Sequence, residues 1–276
     1  MISIPINVSD SRFFWYLDLF WFAHQEIYKD DANNKVYSIV INNNNNDIDL
    51  SIKHKVCNPW TANSKIYNLL QEVPIHLCAP INMQIGLLSI LDELEDSTVI
   101  ELLDHDMFHF RSHPKITVEH NQFFVCDIYE DWHLHSMSKH KSVINPFLNP
   151  FQRIRFYNGG HVPIIGTART FKKILSDWID IHIKIILNET RTTKQSELIC
   201  WWAGMYSFNA ACEISKVQMI AKNYCYIPGI TDLTDEMYIG HYSVDQRFNK
   251  KKYPQINKQD FLDNDFYSMI KKWNKF

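Results

Sequence analysis

Apolar positions along this chain change period several times, and each change predicts a new element. ISIPINV at 2–8 is short, apolar and β-branched, which predicts an opening strand. SRFFWYLDLFWFAHQEIY at 11–28 carries apolar residues at helical spacing, and Ser9 or Ser11 is placed to cap that helix. KVYSIVI at 35–41 predicts a second strand and KIYNLLQE at 65–72 a short helix. INMQIGLLSILDELE at 81–95 is helical in period and runs directly into a strand-like VIELLDHDM from residue 99.

Beyond it come FFVCDIY at 123–129, a polar, histidine-dotted and proline-punctuated stretch through residue 152, and RIRFYNGGHVPIIGT at 153–167. ARTFKKILSDWIDIHIKIIL predicts an amphipathic helix from about 168 to 187, and SELICWWAGMYSFNAACEI at 196–214 a helix buried on most sides. Strands alternating with helices predict an α/β protein with a mostly parallel central sheet flanked by helices. No internal repeat and no Gly/Ser-rich or Pro-rich linker divides the chain. The expectation is a single domain over 1–276, with 244–276 a C-terminal extension that packs back on it.

Composition narrows the class. A chain of 276 residues with 46% hydrophobic and 14% aromatic residues fills a substantial core without staples. A formal charge of -3 provides no global positive field to draw it to nucleic acid or an anionic membrane. Cys57, Cys78, Cys126, Cys200, Cys212 and Cys225 form no CxxC pair and sit among apolar residues, so they read as reduced core thiols. The first residues lack a basic stretch followed by a cleavage site, and no apolar run reaches membrane-spanning length. These features predict a soluble, cytoplasmic protein. The NNNNN run at 42–46 reads as a surface loop in a chain rich in Asn, Ile and Lys.

The candidate chemistry begins at VIELLDHDMFHFR. Read as one strand, it puts Asp104 and Asp106 on the same side, because residues two apart share a face. Like charges that close call for a cation between them, and a divalent ion is the commonest such partner. The bland reading is a surface turn, where aspartate is frequent. Asn158-Gly159-Gly160, in RIRFYNGGHVPIIG, reads either as a close approach to a ligand or as a bulge. His241, in IGHYS, can complete a carboxylate–imidazole ligand set, and Arg247 and Lys250 to Lys252 beyond it can neutralise phosphates. His133, His135 and His140 lack zinc-site spacing and read as a solvated loop. GxSxG, Walker A and GxGxxG signatures are absent. Trp201 and Trp202 read as core rather than as a platform for a sugar.

Four stretches together, VIELLDHDMFHFR, NGGHVPIIGTARTFKKILSDW, CWWAGMYSFNAACE and IGHYS, spread over residues 99 to 243. In order and character they resemble nucleotide-sugar glycosyltransferases of the GT-A fold, nearest the hydroxyproline O-arabinosyltransferase and peptidyl serine α-galactosyltransferase group. The resemblance implies a GT-A-like, Rossmann-like domain. It implies transfer of a sugar from a UDP-sugar to a hydroxyl acceptor, with retention of configuration, and a Mn²⁺ or Mg²⁺ cofactor. Asp104 would touch the ribose or the metal, Asp106 would ligate it, and His241 would complete the protein shell. Asn158, Gly159 and Gly160 would line the sugar pocket, and Arg247 and Lys250 would meet the diphosphate. Gly204 departs from the pattern, which expects a glutamate before the methionine. The catalytic or acceptor-positioning carboxylate therefore stays open among Glu197, Glu213, Asp232 and Asp235.

Two other readings use the same residues. A metal-dependent phosphohydrolase or nucleotidyltransferase would bridge two ions with several carboxylates, whereas the sequence offers one tight acidic pair. A non-catalytic carbohydrate-binding protein would use the aspartates for calcium or for solvation of a turn. The acceptor, whether peptide, glycan or modified nucleobase, is not written in the sequence.

Overall fold

The structure is a computed structural model and describes residues 1–8, 14–29, 31, 33–41, 54–104, 106–126, 143–149, 162–192, 196–227, 231–241 and 265–273. Its frame is an eight-stranded sheet. The strands are β1 (Ile2–Val8), β2 (Lys35–Val36), β3 (Ser38–Ile41), β4 (His54–Cys57), β5 (Val99–Asp104), β7 (Gln122–Cys126), β8 (Ile164–Thr167) and β9 (Gln218–Lys222). They lie in the order β4-β3-β1-β5-β8-β7-β9, with β2 also paired to β1. Only β8 runs against the rest, pairing antiparallel with both β5 and β7. The expected α/β class with a mostly parallel sheet is what the chain adopts.

Three strands lie in a second sheet of order β10-β11-β6: β6 (Met107–His109), β10 (Cys225–Tyr226) and β11 (Ile239–His241). The helices are α1 (Phe14–Tyr28), α2 (Ser64–Leu70), α3 (Ile75–Cys78), α4 (Ile81–Leu91), α5 (Ala168–Thr192), α6 (Ser196–Ile214) and α7 (Asp265–Trp273). α5 buries Phe171, Ile174, Leu175, Trp178, Ile181, Ile185 and Ile186, which recur with the period of a helix along one stripe, as the sequence predicts. Thr167 ends β8 and accepts a hydrogen bond from the Thr170 amide at 3.3 Å, so one residue closes the strand and caps α5. α6 buries Ile199, Cys200, Ala203 and Tyr206 through Cys212, and so is covered on most sides.

Several boundaries moved. The 35–41 strand is broken at Tyr37, the helix from residue 81 stops at Leu91, and α5 runs on to Thr192. β4, β6, β9 and β10 are short, and each is held by its neighbours in a sheet more than by its own two to five residues. α7 buries Met269, Ile270 and Trp273 against the rest of the protein. All six cysteines are buried and free, in keeping with core thiols.

One glycine in β8 has a steric reason. A Cβ on Gly166 would lie 2.4 Å from the Phe123 ring, which is itself packed against Phe171 and Phe208. The two strands approach this closely only because the side chain is missing.

Candidate metal centre

β1 lies between β3 and β5, and the chain builds outward from β1 to β3 and β4 before returning to its other side with β5. The crevice at the carboxyl ends of two such strands is where open α/β sheets receive ligands. Asp104 is the last residue of β5 and so stands at that edge.

The reading of DHD as one continuous strand is corrected here. β5 ends at Asp104, Asp106 occupies a turn, and β6 starting at Met107 belongs to the other sheet. The bend between the sheets, rather than strand alternation, brings the two carboxylates together. β6 then pairs antiparallel with β11, placing His241 opposite Met107 and hence next to Asp106. Ligand atoms of Asp104, Asp106 and His241 all lie within 4.8 Å of one another, and the three side chains are partly buried. His241 Nε2 is 3.3 Å from Asp106 Oδ1.

Two ligands at right angles on an ion with bonds of about 2.1 Å lie roughly 3 Å apart, so this spacing suits a shared Mg²⁺ or Mn²⁺. Two carboxylates and one imidazole are also ordinary donors for such an ion, and they leave several coordination positions for ligand oxygens. Burial disfavours a charged His241, but the Asp106 carboxylate, aided by Asp104, outweighs it and lifts the imidazole pKa to about 9. The imidazolium is thereby a counter-charge to Asp106, a role that a bound cation would take over.

Of the other residues singled out from sequence, Asn158, Gly159, Gly160, Arg247 and Lys250 lie outside the described residues, as do His133, His135 and His140. Glu197 lies in the first turn of α6 and Glu213 near its last residue, ahead of β9. Asp232 and Asp235 are exposed on the segment that enters β11 at the end away from His241. Arg111 Nη1 donates to the Thr234 carbonyl at 2.9 Å, pinning that segment, and its Nε donates to Asp265 of α7. Trp202 is half-buried and meets Tyr206 edge-on.

Gly204 faces the α5–α6 packing. A Cβ there would sit 3.5 Å from His182 Cε1, and its carbonyl accepts a hydrogen bond from Trp178 Nε1 at 2.7 Å. The 3.5 Å approach is an ordinary packing distance, which makes position 204 part of the contact between the two helices.

Sequence reasoning passed over a polar network behind the candidate metal centre. Glu101 is fully buried in β5 and accepts from Ser3 Oγ at 2.8 Å, His109 Nε2 at 2.7 Å and Tyr238 Oη at 2.6 Å. Burial pushes its pKa up, but His109 and the hydrogen bonds from His109, Tyr238 and Ser3 more than offset this and hold the carboxyl below its usual value. His24 of α1 and Tyr28 pack on the His109 ring. The signal in the sequence was a charged residue inside VIELL, where every neighbour is apolar.

No family model matches the chain, and no curated protein matches its sequence. Solved structures are similar at low identity. The galactosyltransferase LgtC in complex with donor and acceptor sugar analogs is 10% identical, with 88% of this chain and 87% of that one covered and a TM-score of 0.48. Mouse xyloside xylosyltransferase 1 in its apo form is 7% identical, covering 89% and 99%, with a TM-score of 0.47. The apo-form glycosyltransferase GlyE of Streptococcus pneumoniae TIGR4 is 12% identical, covering 98% and 62%, with a TM-score of 0.42.

Proposed function

We propose that this protein is a metal-dependent glycosyltransferase that moves a sugar from a UDP-sugar to a hydroxyl acceptor, with retention of configuration. The observation that carries the proposal is the convergence of Asp104, Asp106 and His241 at the carboxyl edge of the sheet, beside the point where strand order reverses. These are the positions that the sequence resemblance marks as the donor-side ligand set. Breaking the bond from sugar to nucleotide releases a diphosphate, and a bound Mn²⁺ or Mg²⁺ supplies the charge that stabilises it as it leaves.

The chain's own residues do the rest. Asp104 and Asp106 contribute two negative charges at one edge, and His241 adds a neutral donor once it gives up its proton. Asn158 and Gly159 are the candidates to line the sugar, and Arg247 and Lys250 to meet the phosphates. The catalytic or acceptor-positioning carboxylate is to be sought among all four candidates, Glu197 and Glu213 of α6 and Asp232 and Asp235 ahead of β11. A single acidic pair with one histidine favours one ion over the two of a phosphohydrolase, the only such cluster among the described residues. No described helix is long and apolar enough to cross a membrane.

The test is hydrolysis of a panel of UDP-sugars by the full chain with Mn²⁺, followed by mass spectrometry of the products. Transfer to water is what a working donor site does without its acceptor. Asp106→Ala should lower the rate by about a thousandfold, roughly 4 kcal/mol of lost charge stabilisation. Unchanged turnover in that variant, or turnover indifferent to EDTA, refutes the proposal.

A further inference from the structure

Glu101 joins three parts of the protein through one carboxylate. Ser3 comes from β1, His109 is the last residue of β6, and Tyr238 stands immediately before β11. The register pairs His109 with Ile239, Phe108 with Gly240 and Met107 with His241. Glu101 therefore grips both strands of the β6–β11 pair at one end. At the other end the same two strands deliver Asp106 and His241.

We propose that Glu101 is a positioning residue, a buried clasp that fixes β6 against β11 and thereby sets the spacing of Asp106 and His241 as ligands of one divalent cation. β6 and β11 are three residues each, too short to define their own register. A slip by one residue turns the side chain at 241 to the opposite face of its strand and removes it from Asp106. Apolar contact specifies register only through which face is buried, and so tolerates small displacements. A fully buried carboxylate that accepts three directed hydrogen bonds does not, since a displaced donor leaves charge unsatisfied where water cannot reach it. The backbone reinforces the same register: the Phe110 amide donates to the Tyr238 carbonyl at 3.0 Å. Partners behind a ligand set commonly govern its affinity, and here the partner acts through two strands rather than by touching a ligand.

The inference rests on the metal-centre reading, and the experiment separates the two. Mn²⁺ is titrated into the EDTA-treated 276-residue chain and free ion is followed by electron paramagnetic resonance, at a temperature where circular dichroism shows each variant folded. The variants are Glu101→Gln, Tyr238→Phe and, as a destabilised control in the core of α5, Ile186→Ala. Glu101→Gln should bind Mn²⁺ about 10- to 100-fold more weakly and Tyr238→Phe several-fold more weakly. Ile186→Ala should keep wild-type affinity in spite of a lower melting temperature. Wild-type affinity in both Glu101→Gln and Tyr238→Phe overturns the clasp while leaving the metal centre standing, and equal weakening in Ile186→Ala overturns it as well. Should Glu101→Gln not fold, the comparison of Tyr238→Phe with Ile186→Ala decides by the same criterion. Absence of saturable Mn²⁺ binding by the wild type removes the metal centre itself, and the clasp with it.

Discussion

Replacing His182 by glutamine should make the protein markedly less sensitive to mild acid. His182 of α5 is fully buried, and its Nδ1 is 2.9 Å from Gln84 Oε1 of α4, so the neutral ring donates there. Burial alone lowers its pKa from 6.5 to about 3. Because the folded-state value is depressed, the imidazole is neutral in both states above 6.5 and makes no difference there. As pH falls below 6.5 the unfolded chain takes up a proton that the folded chain refuses, and stability is lost until about pH 3. Between pH 7 and pH 5 the loss is about 2 kcal/mol for this one group. At pH 5 the folded-state value scarcely enters, since the buried ring is still neutral and the protonation of the unfolded chain sets the cost. The assay is guanidinium unfolding of wild type and His182→Gln at both pH values. The variant starts less stable at pH 7, but its loss on going to pH 5 should be smaller than that of wild type by about 2 kcal/mol. Every other titrating group cancels in that difference. Parallel losses would mean that His182 is hydrated or paired with a charge in the folded protein, and would refute the account.

Other outcomes follow from the same structure. UDP with Mn²⁺ at about a hundred times its dissociation constant should stabilise the protein by about 3 kcal/mol in thermal melts, and EDTA should abolish the shift; a shift indifferent to metal would argue against the three-ligand centre. Gly166→Ala should cost about 1–3 kcal/mol in chemical unfolding, because its methyl meets the Phe123 ring at a distance no packing tolerates; an unchanged midpoint would show that the strands separate readily. Gly204→Glu should lower the melting temperature without raising UDP-sugar hydrolysis, since it sets a charged side chain at the α5–α6 contact beside His182; a gain in turnover would show that position 204 reaches the site.

The sequence by itself determined the elements whose burial pattern is strong and local. β1, α5 and α6 follow from runs in which apolar spacing alone decides which face is covered, and the α/β class follows from their alternation. It also determined which side chains have metal chemistry, because DHD and a distant IGHYS are legible as donor types wherever they end up. Only the tertiary structure decided that Asp104 and Asp106 meet across a bend between two sheets, and that His241 is carried to them by a three-residue strand. Strands this short have little preference of their own and exist through pairing, so their places depend on partners far along the chain. The same reason hid what Glu101 does: a lone charge in an apolar strand is visible in sequence, but its meaning comes from Ser3, His109 and Tyr238 arriving from three separate segments. Gly204 is the converse case, a residue whose neighbour, the His182 ring on an adjoining helix, only packing reveals. Local periodicity fixes what a residue can be, while long-range register fixes what it stands beside, and a cluster built from distant segments requires both.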